Sequence, residues 1–323
     1  MQTELIYLVA SFIFSAIVGK ILIPVLRKLK VGQSERLDGP RAHLKKQGTP
    51  TMGGIAIILS VTVFTIIYCV LNYKNIDITP LLAVFLASLG YGLVGFIDDY
   101  KKVVLKNTEG LNPTLKMIGL GIISVIYTIF LMKYLGLQSV TIIPFVHFEL
   151  ALPTWIFIPF ILFVMLGSTN AVNLTDGVDG LAGSVGTIMM LALSIISYKL
   201  GYKEISLYSL IVMGSIMGFL IYNFYKAKII MGDVGSLFLG GVISSIAIYM
   251  KYPLILVIVA IIPVIETLSV IAQVLYFRKT GKRLLRMSPL HHHFELSGWR
   301  ENKVVAVFSL VTLIASIVGI LAV

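Results

Sequence analysis

Cysteine occurs once in the chain, at Cys69, so no internal disulfide is possible. Charge is scarce too: Asp, Glu, Lys and Arg make up 13% of the 323 residues, against about 25% in a typical soluble domain. No long polar segment is present, which speaks against an appended soluble domain. The chain therefore reads as one integral membrane domain over residues 1–323. Short alternating strands separated by turns are missing as well, which speaks against a membrane β-barrel. The first lysine is Lys20, so the start lacks the basic residues of a signal peptide and reads as a retained helix.

Apolar residues are what the chain has in excess: 58% of it is hydrophobic, with a mean hydropathy of +0.96. They fall into ten blocks, near residues 5–26, 52–71, 80–97, 114–134, 155–172, 181–198, 206–222, 234–250, 254–275 and 303–322. Each is about as long as a helix needs to be to cross a bilayer. The fold class expected is an all-α polytopic membrane protein of about ten transmembrane helices. Pro263 in the ninth block is expected to kink its helix and open a groove for a lipid tail. The nearly uncharged stretch 135–154 is expected to form a small hairpin outside the membrane.

The net charge of +11 would suit nucleic acid, but its distribution follows membrane topology instead. Segments after the odd-numbered blocks carry 20 of the 26 Lys and Arg, the other face carries five, and Lys20 lies inside the first block. The positive-inside rule then places the basic face in the cytoplasm and both termini outside. Ten of the 15 acids lie on that basic face, five of them aspartates near helix ends. A carboxylate at the edge of hydrocarbon is costly and calls for a partner or a task.

Three stretches hold these aspartates, and a fourth holds lysines and threonines. In "GFIDDYKK" (95–102), Asp98 and Asp99 are about 100° apart on a helix and face different ways, with Lys102 four residues after Asp98. Two acids at a helix C-terminus oppose the macrodipole and ask for a cation, a lysine or a metal. In "NAVNLTDGVDGLAG" (170–183), Asn173, Asp176 and Asp179 recur every third residue, so one turn could present all three to one side. "YNFYKAKIIMGDVGS" (222–236) sets Asp233 at a helix start, either as an N-cap or where phosphate and Mg²⁺ could bind. Asn223 is a polar contact or a helix-end cap. "GPRAHLKKQGTPTMGG" (39–54) reads as a loop whose Lys45, Lys46, Thr49 and Thr51 could reach a phosphate.

"PLHHHFELSGW" (289–299) holds three of the five histidines. Neighbours on a helix or strand diverge, so the three do not readily share one metal. Beside Glu295 they suit a phosphate or sugar ligand better. Glu266 in the ninth block is a buried-acid outlier, paired with Gln273 or another polar group.

Taken in order, "GTPTMGG", "FIDDYKK", "NLTDGVDGLAG", "MGDVGS" and "PLHHHFELSGW" over ten spans closely resemble the phospho-N-acetylmuramoyl-pentapeptide transferases. These belong to the polyprenyl-phosphate N-acetylhexosamine-1-phosphate transferase superfamily, and the likeness covers essentially the whole chain. Gln47 stands where a basic residue is expected, with Lys46 beside it. The resemblance implies a Mg²⁺-dependent phosphoglycosyl transfer: UDP-MurNAc-pentapeptide plus undecaprenyl phosphate gives lipid I plus UMP, for peptidoglycan synthesis. It implies catalytic roles for Asp98, Asp99, Asp233 and His291, with Mg²⁺ on Asp233. It implies substrate binding by Lys46, Thr49, Lys102, Lys116, Asn173, Asp176, Asp179, Asn223, Gln273, His292 and His293. It further implies a homodimer in the bacterial plasma membrane with its site facing the cytoplasm. Three alternatives stay open: a phospho-enzyme route through Asp233, a sister enzyme acting on UDP-GlcNAc, and a transporter. The transporter fits poorly, because the aspartates gather at one face instead of lining a path.

Overall fold

The computed structural model describes residues 2–29, 48–105 and 110–323. Lys46, with Lys45, Glu35, Asp38 and Glu109, lies outside the described residues. Among the described residues ten helices are long and apolar enough to cross a membrane. They are α1 (Gln2–Lys28), α2 (Gly54–Asn72), α3 (Thr79–Val103), α4 (Pro113–Tyr134), α5 (Thr154–Thr175), α6 (Leu181–Lys199), α7 (Lys203–Asn223), α8 (Gly232–Tyr249), α10 (Ile261–Thr280) and α12 (Glu301–Leu321). Two short helices complete the set, α9 (Leu256–Val259) and α11 (Leu290–Leu296). The fifth and sixth blocks are separate helices, and α5 runs past Asn173 before the chain turns.

The bundle is built around α8. Its best apolar window is 83% buried, against 22% for α1 and α10, so α8 is the core and those two are rim helices. α8 packs mainly on α3 and α5. The rim presents apolar side chains outward, such as Ile13, Ile17 and Ile21 on α1 and Leu268, Ile271 and Leu275 on α10. This is the surface a multi-pass membrane protein gives to lipid.

Packing inside the bundle uses small polar groups. Ser215 Oγ donates to Ser60 Oγ at 2.9 Å, Ser15 Oγ to the Ser215 carbonyl at 2.7 Å, and Ser60 Oγ to the Ser11 carbonyl at 2.9 Å. These tie α1, α2 and α7 together, as interhelical hydroxyls do in apolar surroundings. Tyr127 likewise donates to the Ser245 carbonyl at 2.7 Å, joining α4 to α8.

The stretch 135–154 forms the expected hairpin. Strands β1 (Val140–Ile143) and β2 (Phe148–Ala151) pair antiparallel, Val140 opposite Ala151. Ile142 N–H donates to the Lys251 carbonyl and Phe145 N–H to the Ala322 carbonyl, both at 2.8 Å, which fixes the hairpin on the C-terminal ends of α8 and α12.

The ninth block departs from expectation. It is broken at Ala260, between α9 and α10, and Pro263 lies in the first turn of α10. A first-turn proline has no helical hydrogen bond to lose, so Pro263 starts this helix instead of kinking it.

Candidate active site

The site is built where the ends of α2, α3, α4, α5, α7 and α8 meet. Asp98 and Asp99 lie in the last turns of α3 and are 2% and 4% exposed. They face different partners, as their angular offset requires. Asp98 Oδ1 accepts the Leu111 N–H at 2.6 Å, while Oδ2 accepts from Lys102 Nζ at 2.8 Å and Lys116 Nζ at 3.2 Å. Asp99 Oδ2 instead accepts the Val234 N–H at 3.0 Å. A carboxylate from α3 thus satisfies one of the donors left open at the start of α8.

Asp233 is the second residue of α8, so it is not the N-cap, a position taken by Met231. Its Oδ2 accepts from Lys116 Nζ at 2.8 Å and Lys102 Nζ at 3.0 Å, and its Oδ1 accepts from Asn173 Nδ2 at 2.7 Å. Each lysine therefore bridges Asp98 and Asp233. Asn173 also donates to Ser236 Oγ at 2.8 Å. Ser236 carries no warning in the sequence, since a serine one turn into a helix is commonplace.

The approach of α2 to α8 depends on missing side chains. Gly53 and Gly54 N–H donate to the Ile230 and Met231 carbonyls at 2.8 and 2.9 Å, and Ile230 N–H returns to the Pro50 carbonyl at 2.8 Å. A Cβ on Gly54 would run into the Gly235 backbone. "GTPTMGG" and "MGDVGS" thus hold each other, and Thr49 and Thr51 flank the shared Pro50.

The Asp176–Gly180 turn is held to the same place. Asp176 Oδ2 accepts the Gly232 N–H at 3.2 Å and Asp179 Oδ2 the Ala227 N–H at 2.9 Å. Asn173, Asp176 and Asp179 therefore all face the chain that leads into α8. Asn223 is 3% exposed, accepts from Gly180 N–H at 3.1 Å and donates to the Ile229 carbonyl at 2.9 Å. Its amide braces the turn from α7.

Burial, and after it the Asp233 carboxylate, push the Asp176 acid well above the usual carboxylate range. A raised acid contributes stability that is complete below its ordinary value, 3.8 here, and is lost as pH climbs through the raised value. The ligand-free protein should therefore melt at lower temperature as pH rises above that range, and Asp176→Asn should flatten the decline. Thermal unfolding in detergent from about pH 5 to about pH 9 reads this, and an unchanged slope would refute it.

The histidines stand on α11. His291 is 0% exposed, and its Nδ1 lies 3.1 Å from Glu266 Oε1. A Cβ on Gly177 would run into His291 Nε2, so the ring abuts the Asp176–Gly180 turn. His292 Nδ1 is 2.8 Å from Glu295 Oε2, and His293 Nδ1 accepts the Arg286 N–H at 3.1 Å. Gln273 does not reach Glu266. Its Oε1 accepts the Leu284 and Leu285 N–H groups at 3.1 and 2.8 Å and braces the loop before α11.

Asp98 and Asp233 offer oxygen donors to one cation position, the chemistry a hard divalent ion takes. Among the described residues no group of three or more His, Cys, Asp or Glu is gathered for a metal.

Ten spans with acids and lysines converging at their helix ends, together with the family matches that follow, make this an integral membrane transferase. The glycosyl transferase family 4 model matches residues 81–251. Residues 46–58 match signature 1 of phospho-N-acetylmuramoyl-pentapeptide-transferase. Curated proteins of that name align over nearly the full length. That of Acetivibrio thermocellus is 47% identical, covering 97% of this chain and 93% of its own. That of Clostridium botulinum is 45% identical, covering 99% and 96%. That of Shouchella clausii is 46% identical, covering 98% and 97%. The chain belongs to the phospho-N-acetylmuramoyl-pentapeptide-transferase family.

Proposed function

We propose that this protein transfers phospho-MurNAc-pentapeptide from UDP-MurNAc-pentapeptide to undecaprenyl phosphate, giving lipid I and UMP with Mg²⁺. The observation that carries the reading is the double bridge of Lys102 and Lys116 across Asp98 and Asp233. The protein acts as one membrane domain, a homodimer in the bacterial plasma membrane, with this site in the cytoplasm and both termini outside.

In the reaction an oxygen of the lipid phosphate attacks the β-phosphorus of the nucleotide sugar. The bond from that phosphorus to the bridging oxygen breaks, and UMP leaves with the oxygen. Both reactants are anions, so positioning and charge neutralisation matter more than covalent help. Lys102 and Lys116 supply positioned positive charge at the meeting point. Asp99 fixes the start of α8 and so holds Asp233 in place. Asn173 orients Asp233 from the other side. The α11 histidines offer ring donors to phosphate oxygens. Mg²⁺, when bound to Asp233 with Asp98 alongside, neutralises pyrophosphate charge.

UMP release by purified protein tests this. Release should require UDP-MurNAc-pentapeptide, a polyprenyl phosphate and Mg²⁺ together. Turnover of UDP-GlcNAc but not the muramoyl substrate would overturn the choice of sugar. UMP release without lipid acceptor would instead support a phospho-enzyme on Asp233.

A further inference from the structure

Glu266 is an acid in the interior of α10, and both it and His291 are 0% exposed. A buried carboxylate persists where it has a partner, because desolvation disfavours the lone charge. The partner here is 25 residues away in sequence. Glu266 Oε1 accepts the His291 backbone N–H at 3.2 Å and stands 3.1 Å from His291 Nδ1. The ring is at ion-pair distance without hydrogen-bond alignment, and neither ring nitrogen has another hydrogen-bond partner among the described residues. One carboxylate oxygen therefore holds the start of α11 by a hydrogen bond and faces the imidazole of the same residue.

The opposite edge of the ring points at the reaction site. Nε2 abuts Gly177, between Asp176 and Asp179, where any side chain would collide with it. The His292 ring packs edge-on at 4.1 Å between centroids, which closes a third side. His291 is thus confined by Glu266, Gly177 and His292, with Nδ1 toward the carboxylate and Nε2 toward the turn.

We propose that Glu266 is a positioning residue for the transfer reaction. It holds His291 so that Nε2 faces the Asp176–Gly180 turn, which is itself tied to the start of α8 beside Asp233. This rests on the reaction proposed above. An outer carboxylate that orients a functional histidine is a general device, and removing one costs about 10–100-fold in activity at metal sites.

The test compares Glu266→Gln, His291→Asn and the double variant of the full chain, by UMP release over a range of nucleotide-sugar concentrations. Glu266→Gln keeps size and an acceptor oxygen for the His291 N–H but loses the charge. It should lower kcat about 10–100-fold, with KM for the nucleotide sugar within about threefold. If Glu266 works through His291, the double variant should be no slower than His291→Asn, because coupled residues are not additive. Should Glu266→Gln fail to fold, Gly177→Ala presses on the same ring from the other side. It should lower kcat alone and add nothing to His291→Asn. Wild-type kcat in Glu266→Gln, or losses that multiply in the double variant, would overturn the inference. A wild type that releases no UMP overturns the underlying reaction instead.

Discussion

Asp233→Asn is expected to lower kcat by about 10³-fold or more while the helices stay assembled. Both bridging lysines and Asn173 end on the Asp233 carboxylate, at the first turn of the most buried of the ten long helices. The amide keeps the size and one acceptor oxygen, so Asn173 retains a partner. It removes the charge that holds the two ammonium groups against Asp98 and the oxygen donor offered to Mg²⁺. A 10³-fold loss corresponds to about 4 kcal/mol of transition-state stabilisation, within reach of losing metal and cation alignment together. The bundle should survive, because Lys102, with 37% of its side chain exposed, can turn to solvent, and both lysines keep Asp98 as a partner. UMP release and thermal unfolding measured on the same preparation separate the two effects. Activity above a tenth of wild type would remove Asp233 from the centre of the reaction.

Much of this architecture is legible in the sequence, because lipid imposes a simple demand. Each span must close its own backbone hydrogen bonds over a fixed thickness, and that writes itself as apolar blocks. Local geometry is legible too. The helical offset of Asp98 and Asp99 sends one to Lys102 and the other to α8. What no local pattern encodes is which ends meet. Asp233 joins Lys116 across 117 residues, and Gly54 meets Gly235 because neither has a Cβ. Ala260 gives no local reason to break a helix, and Pro263, which does, falls where it costs nothing. The histidine run reads as three equivalent polar side chains, but one turn of helix sends His291 inward to Glu266, His292 to Glu295 and His293 to the Arg286 backbone.

Asp98→Asn should cost about 10²–10³-fold in kcat, and raising the pH should not restore it. A general base needs a lone pair within reach of the proton it takes. In Asp98 three of about four acceptor sites are taken, one on Oδ1 by the Leu111 N–H and two on Oδ2 by the lysines, which makes it a poor proton acceptor. The proton in question is largely absent in any case. The second pKa of a phosphate monoester is near 6, so at pH 7 most lipid phosphate is already dianionic. The carboxylate then serves as the fixed end of a cation bridge, keeping Lys102 and Lys116 over the place where two anions must meet. Asn cannot hold ammonium groups with charge, and alkaline buffer does not supply that charge. A base role predicts otherwise, since ionising the acceptor phosphate in bulk solution would replace the lost base. kcat for wild type and Asp98→Asn, measured from about pH 6 to about pH 9.5, decides between them. Parallel profiles support the cation bridge, and full recovery of the variant at the alkaline end would assign Asp98 to proton transfer instead.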